Sequence, residues 1–160
     1  MSRPCDGGLF LPGECAVLLS ISLTTAAALA LLLIWLSVRV SMARRALKID
    51  VGDGGNPAML RRIRAHGNFV ENAPFLMALL IPMELVGANP MFLWAAAITF
   101  IVARLLHPFG LDRGGVNWMR AAGTGLTLLV LAALAVWAVV TSYGRMSNAG
   151  PRHDGTSIRA

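Results

Sequence analysis

Charged residues are scarce in this chain of 160 residues. Only 14% of its positions are charged and 56% are hydrophobic, whereas soluble domains usually carry about 25% charged residues. The mean hydropathy is +0.66, and residues 15–38 contain no charge at all. A run of roughly 20 apolar residues is enough to cross a bilayer. The scarcity of charge therefore excludes an ordinary soluble domain and predicts an integral membrane protein.

Cysteine is also rare, with only Cys5 and Cys15 in the whole chain. Neither belongs to a C-x-x-C pair or a Cys/His cluster, so the sequence gives no support to a zinc or haem site. A disulfide between them would need an oxidising compartment around the N-terminus, and the sequence leaves that pairing and two free thiols both open. No internal repeat of the kind found in many transporters is visible.

The apolar runs divide the chain into four expected membrane helices. These cover residues 15–38, 57–86, 91–107 and 117–143, and they predict an all-α four-helix bundle. The first run is too long for the core of a signal peptide and lacks a small-residue cleavage site, which indicates a span. Residues 1–14 are expected to form a flexible lead and residues 144–160 a disordered tail. The membrane domain is thus expected to occupy residues 15–143.

Local signals set the expected ends of these helices. The basic stretch that starts at Arg39 can continue the first helix beyond the membrane surface. Asn56 is a plausible N-cap for the second helix, with Pro57 at its first position. Pro108 and Gly110 are expected to stop the third helix.

The distribution of basic residues predicts an orientation. The net charge is +6, but the cations sit in short segments beside apolar runs, which favours membrane topology over nucleic-acid binding. Ten basic residues flank the first and third connections, against four on the other side: Arg39, Arg44, Arg45, Lys48, Arg61, Arg62, Arg64, Arg104, Arg113 and Arg120, against Arg3, Arg145, Arg152 and Arg159. The positive-inside rule then places the basic connections in the cytoplasm and both termini outside.

A polar stripe runs down the first half of the second helix. At 100° per residue its members lie within about 100° of arc on one helix face; they are Arg61, Arg64, Asn68, Glu71 and Asn72. A charged side chain deep in lipid costs on the order of 2.5–3.5 kcal/mol, so the stripe must face other helices or a wet cavity. His66 falls off this stripe and is expected at the surface, in contact with solvent or lipid headgroups.

Two interpretations of the stripe stay open on these grounds. In the first, Glu71 and Asn68 form a polar clasp between helices and bind nothing, which is common in membrane bundles. In the second, the stripe lines an anion pocket together with Arg104, His107 and Arg120, which are expected at the same level of the bundle. Arginine is the preferred clamp for carboxylates because its fork can bond both oxygens.

Several segments in order resemble the MAPEG family, the membrane-associated proteins in eicosanoid and glutathione metabolism. The spacing of Arg64, Asn68, Glu71 and Pro74 is similar to the family signature. The basic stretch SMARRALKI at 41–49, the stretch ARLLHPFG at 103–110 and the Arg–Gly-rich start of the fourth helix complete the resemblance, which covers residues 15–140.

The resemblance implies a homotrimer that binds glutathione between neighbouring subunits near the cytoplasmic surface. The expected glutathione-binding residues are Arg44, Arg45, Arg64, Asn68, Glu71, Asn72, Arg104 and His107. Arg120 is the expected catalytic residue, which stabilises the glutathione thiolate, because a nearby arginine lowers the pKa of a thiol and the thiolate is the nucleophile.

The chain departs from the family pattern in two places, after the signature glutamate and near the end of the third helix. Members with well-defined glutathione chemistry often have tyrosine after the signature glutamate and near the end of the third helix, whereas this chain has Asn72, His107 and Leu111 there. Aromatic and hydroxyl contacts to glutathione are therefore expected to be fewer.

The expected function is that of a membrane-embedded glutathione transferase or peroxidase that acts on a small lipophilic electrophile in a bacterial inner membrane. A non-catalytic anion-binding bundle and a structural bundle with a polar clasp are the alternatives.

Overall fold

The computed structural model describes residues 19–115 and 117–148, which form four α-helices. These are α1 (Ser20–Leu47), α2 (Pro57–Leu85), α3 (Pro90–Asp112) and α4 (Trp118–Asn148). No strand occurs within the described residues, so the all-α prediction is confirmed. The expected lead at residues 1–14, both cysteines, the start of the first expected span and residues 149–160 of the expected tail lie outside the described residues.

The helix ends follow local chemistry. The side chain of Asn56 accepts hydrogen bonds from the backbone N–H groups of Ala58 and Met59, with Pro57 at the first helical position, so the predicted N-cap is confirmed. The basic stretch does continue α1, which ends where Lys48 takes a left-handed conformation with φ 53°. Asn89 caps α3 in the same way, because its side chain accepts from the N–H of Met91 at 2.9 Å.

Two predicted helix ends were wrong. Pro108 does not stop α3, which continues to Asp112, because a proline inside a membrane helix is tolerated where neighbouring groups replace the lost hydrogen bond. The α4 helix continues five residues beyond the expected end at 143, to Asn148. Arg145 lies in this extra turn, and its guanidinium donates to the carbonyl oxygen of Val86.

The central helices of the bundle are α2 and α3. The α1 helix packs against α2 and α3, and α4 packs against α3 and α2, with the closest association between α3 and α4. Large apolar side chains fill the space between them; the most deeply buried are Leu36, Met59, Leu76, Leu80, Leu93 and Phe100.

The exterior of the bundle is apolar, as expected for a surface that faces lipid. Large hydrophobic side chains such as Leu31 and Leu129 are exposed on it. Three helices, α1, α3 and α4, are long and apolar enough to cross a membrane. The α2 helix is equally long but carries Arg64, Asn68 and Glu71, which lower its hydropathy.

Candidate functional site

The polar stripe of α2 faces a cavity of about 930 Å³ at the basic end of the bundle. Arg64, Asn68 and Glu71 line this cavity, as the helical spacing predicts. Gly67 lies among them and leaves open space, because a Cβ atom there would have no neighbour within 4 Å. Ligand pockets typically measure roughly 300–1,000 Å³, so the cavity is large enough for a small peptide.

The opposite wall of the cavity comes from α3 and α4. His107 and Leu111 contribute from α3, and Arg120 and Thr124 from α4. The Nδ1 atom of His107 lies 3.3 Å from the hydroxyl of Thr124, which holds the imidazole against α4.

The backbone of Arg120 is fixed by the end of α3. The side chain of Asn117 accepts from the N–H of Arg120 at 3.0 Å and donates to the carbonyl oxygen of Gly110 at 2.6 Å. A Cβ atom on Gly110 would lie only 2.4 Å from the backbone nitrogen of Arg120. The glycine therefore permits a contact that sets where Arg120 enters the cavity.

The connection between α1 and α2 lies at the rim of the cavity. Gly52 and Asp53 belong to the lining, and Gly52 has a positive φ of 71° that favours glycine. The guanidinium of Arg44 donates to the carbonyl oxygens of Asp50 and Gly52 at 3.1 and 3.0 Å. Arg44 thus holds the loop that carries Asp53 to the rim.

Arg104 lies behind the cavity wall and not in its lining. Only 2% of the residue is exposed, and its guanidinium donates to the side chain of Asn68, to the carbonyl oxygen of Gly123 and to the hydroxyl of Thr127. This arrangement is a polar clasp between three helices, which includes Asn68 of the stripe but not Glu71.

Five of the nine residues expected in the site line one cavity. They are Arg64, Asn68, Glu71, His107 and Arg120. The other four do not belong to the lining within this chain. Arg44 binds the loop backbone, and Arg45 is exposed elsewhere. Arg104 is buried in the clasp, and Asn72 donates its amide to the carbonyl oxygen of Asn68 at 2.7 Å. The Asn72 contact is a local helix bond that turns the side chain along the helix axis.

Three functional candidates were missed by sequence reasoning. Asp53 sits in a Gly-rich turn whose distance from the stripe is set only by the fold. The sequence contains a usable signal for Thr124, because this residue follows Arg120 by four positions and so shares its helix face. It also contains one for Asn117, since an asparagine just before an apolar helix is typical of an N-cap.

His66 does not face solvent or lipid headgroups as expected. Its Nε2 atom lies 3.1 Å from the hydroxyl of Ser37 on α1, and the residue is half-buried. It therefore joins α1 to α2 and takes no part in the cavity.

The charges around the cavity suit a ligand of mixed charge. The guanidinium groups of Arg64 and Arg120 can bind carboxylates or a thiolate, and the carboxylates of Asp53 and Glu71 can bind an amine. Among residues 19–115 and 117–148, the side chains of Arg64, Glu71 and Arg120 have no hydrogen-bond or ion-pair partner. These groups are therefore available to a ligand.

Comparison with known proteins identifies the family. The model of the MAPEG family matches residues 22–140. The chain is also 32% identical over 110 residues to "Inner membrane protein YecN" of Escherichia coli K12, a match that covers 68% of this chain and 84% of the relative. The protein of the same name from Escherichia coli O6:H1 matches with the same identity and coverage. This chain belongs to the MAPEG family.

Proposed function

We propose that the protein is a glutathione-dependent transferase or peroxidase that acts on small lipophilic substrates within the membrane. The observation that carries this proposal is the convergence of Arg64, Asn68, Glu71, His107 and Arg120 on one cavity of about 930 Å³. Membership of the MAPEG family supports glutathione as the co-substrate.

The charges assign a role to each group. Glutathione carries two carboxylates, one ammonium group and a thiol. Arg64 and the amide of Asn68 bind a carboxylate, and Glu71, with Asp53 at the rim, binds the ammonium group. Arg120 stabilises the thiolate, because a cation close to a thiol favours its deprotonated form.

The chemistry then follows from the thiolate. In the transferase reaction its sulfur forms a bond to an electrophilic carbon, and the leaving group departs with the bonding electrons. In the peroxidase reaction two glutathione thiols reduce a hydroperoxide to an alcohol and water and become a disulfide. A cavity within a bundle of membrane helices would bring the polar thiol and the apolar substrate together.

The name of the E. coli relatives supports placement in a bacterial inner membrane. The basic end of the bundle then faces the cytoplasm, and both termini lie outside. A homotrimer with glutathione between neighbouring subunits fits a cavity whose charged residues Arg64, Glu71 and Arg120 are exposed in the single chain.

The substitution Arg120→Gln tests the catalytic role. We expect the dissociation constant for glutathione to change by less than about threefold, while turnover with a lipophilic chloronitrobenzene or a lipid hydroperoxide falls at least tenfold, or about 1.4 kcal/mol in the barrier. Arg113→Gln is the matched control, because Arg113 lies at the same end of the bundle but outside the cavity lining. Equal losses in the two variants would contradict this role for Arg120.

The leading alternative is a binding protein that keeps the pocket without the chemistry. The missing tyrosines at Asn72, His107 and Leu111 favour it. It predicts tight glutathione binding with no turnover of either substrate by the wild-type protein.

A further inference from the structure

Arg104 is a buried cation whose acceptors are all neutral. One of its terminal nitrogens donates to the side-chain oxygen of Asn68 and lies 3.4 Å from the carbonyl oxygen of the same residue. The other donates to the carbonyl oxygen of Gly123 at 2.8 Å and to the hydroxyl of Thr127. The hydroxyl of Thr127 in turn donates to Gly123 at 2.8 Å. These contacts fix the guanidinium between α2 and α4.

No carboxylate neutralises this cation in the part of the chain that the structure describes. The one ion pair formed there joins Arg39 and Asp112, and the Nε atom of Arg104 has no hydrogen-bond partner. Burial of a charge without an opposite charge is costly. The fold nevertheless keeps Arg104 98% buried against Asn68, directly behind the cavity wall.

The contact decides which way the amide of Asn68 points. A guanidinium has five N–H donors and no acceptor, so the carboxamide must turn its oxygen towards Arg104. The NH₂ group then lies on the other side, and it donates to no atom among residues 19–115 and 117–148. Asn68 lines the cavity between Arg64 and Glu71. The NH₂ group is therefore the part of the Asn68 side chain that is left to contact a ligand in the cavity.

We propose that Arg104 is a positioning residue that sets the specificity of the cavity through Asn68. It holds the amide with the NH₂ group facing the ligand, so that this point of the wall selects an anionic acceptor, namely a ligand carboxylate. The assignment of glutathione as the probe rests on the proposed function. The orientation of Asn68 does not.

The substitution Asn68→Asp separates this role from a merely structural one. The aspartate has the same shape, and its carboxylate gives Arg104 the opposite charge that it lacks, so the pair becomes stronger. At the same time the cavity side of the residue changes from a donor to an anionic acceptor. Stability and ligand binding are therefore expected to change in opposite directions.

Binding is measured by calorimetry on the full-length protein in detergent, with glutathione and with glutathione esterified at both carboxyls. The wild type is expected to bind glutathione at least tenfold more tightly than the ester. Asn68→Asp is expected to lose this preference and to bind glutathione at least tenfold more weakly, with a melting temperature no lower than that of the wild type. Asn89→Asp is the control, because it makes the same chemical change at the N-cap of α3, outside this cavity.

A second measurement uses the ligand-free protein. Asn68→Asp is expected to raise the melting temperature when Arg104 is present and to lower it in an Arg104→Gln background, where the carboxylate has no partner. Arg104→Lys serves in place of Arg104→Gln if the latter does not fold. In the Arg104→Lys background, Asn68→Asp should still raise the melting temperature, but by less than in the wild type.

The two measurements distinguish the failure of each proposal. If the folded wild type does not bind glutathione, the proposed function is contradicted, and the melting temperatures alone decide the positioning role. A shift of the same sign and size with and without Arg104 would overturn that role. Wild-type glutathione affinity and preference in Asn68→Asp would overturn the specificity that we assign to the pair.

Discussion

At the scale of single residues, the two glutamates of α2 have opposite roles. Glu84, near the end of the helix, reaches across to the start of α1. Its two carboxylate oxygens accept from the N–H groups of Ile21 and Ser22, both at 2.8 Å. The first N–H groups of a helix have no partner within it, and Leu19 at the N-cap position provides none. Glu84 therefore supplies the cap from another helix, whereas Glu71 has no partner in the described chain and faces the cavity.

Substitution of Glu84 is expected to affect stability, whereas substitution of Glu71 is expected to affect ligand binding. Glu84→Gln removes a charged acceptor from the start of α1 and is expected to cost about 1–2 kcal/mol of the free energy of unfolding. Glu71→Gln, the matched change in the same helix, is expected to leave stability within about 0.5 kcal/mol of the wild type, because it breaks no contact within the described chain. Thermal unfolding in detergent measures both. An equal loss of stability in the two variants would show that Glu71 belongs to a clasp.

At the scale of the helices, the site depends on how closely α3 and α4 approach each other. A Cβ atom on Gly123 would lie 2.9 Å from both the carbonyl oxygen of Ala103 and the Cβ of His107. Gly125, two residues later, would meet no atom within 4 Å. The two helices approach through Gly123, and this contact holds His107 and Arg104 at their positions.

Alanine substitutions at these two glycines should have opposite effects. Gly123→Ala forces the helices apart and is expected to cost about 1–3 kcal/mol of stability, together with a weaker affinity for glutathione. Gly125→Ala meets no obstacle and is expected to stabilise the protein by about 0.5–1 kcal/mol, because alanine is the better helix former. Melting temperatures of the two variants provide the measurement. A Gly123→Ala protein as stable as Gly125→Ala would show that α3 and α4 do not meet there.

The features that sequence patterns predicted are those set within one helix. The cap at Asn56 and the shared face of Arg64, Asn68 and Glu71 depend only on local spacing, and the structure has them where the spacing places them. The role of Arg104 depends on which helix lies opposite, so its separation from the cavity could not be predicted from its own position on α3.

The end of α3 was predicted incorrectly for a related reason. A proline normally ends a helix, but tertiary packing decides whether Pro108 does so. The residue is buried, and α3 continues to Asp112. The contribution of Asp53 to the cavity likewise comes from a loop whose path is set by the contacts of Arg44 with its backbone.

At the scale of the whole molecule, the basic end of the bundle contains the cavity and the opposite end contains the Glu84 cap and the last turns of α4. We propose that the basic end faces the cytoplasm, because basic residues are concentrated there. This orientation would open the cavity towards cytoplasmic ligands and would leave the apolar exterior in lipid.

Single cysteines introduced at the two ends test this orientation. In a background with Cys5 and Cys15 replaced by serine, Ser147→Cys in α4 should react with a membrane-impermeant maleimide added to spheroplasts. Val51→Cys, in the loop between α1 and α2, should react only after the membrane is opened. Both positions are exposed, which makes them matched reporters. The reverse pattern of labelling would contradict the proposed topology.

Calorimetry with the detergent-purified protein shows whether the polar stripe of α2 lines a glutathione site. We expect saturable glutathione binding by the wild type. We also expect at least tenfold weaker binding by Arg64→Ala and Glu71→Gln, each with its melting temperature preserved, since a lost charge-assisted contact is worth about 1.5–3 kcal/mol. A folded wild-type protein that shows no binding at millimolar glutathione, or variants that bind as tightly as the wild type, would contradict it.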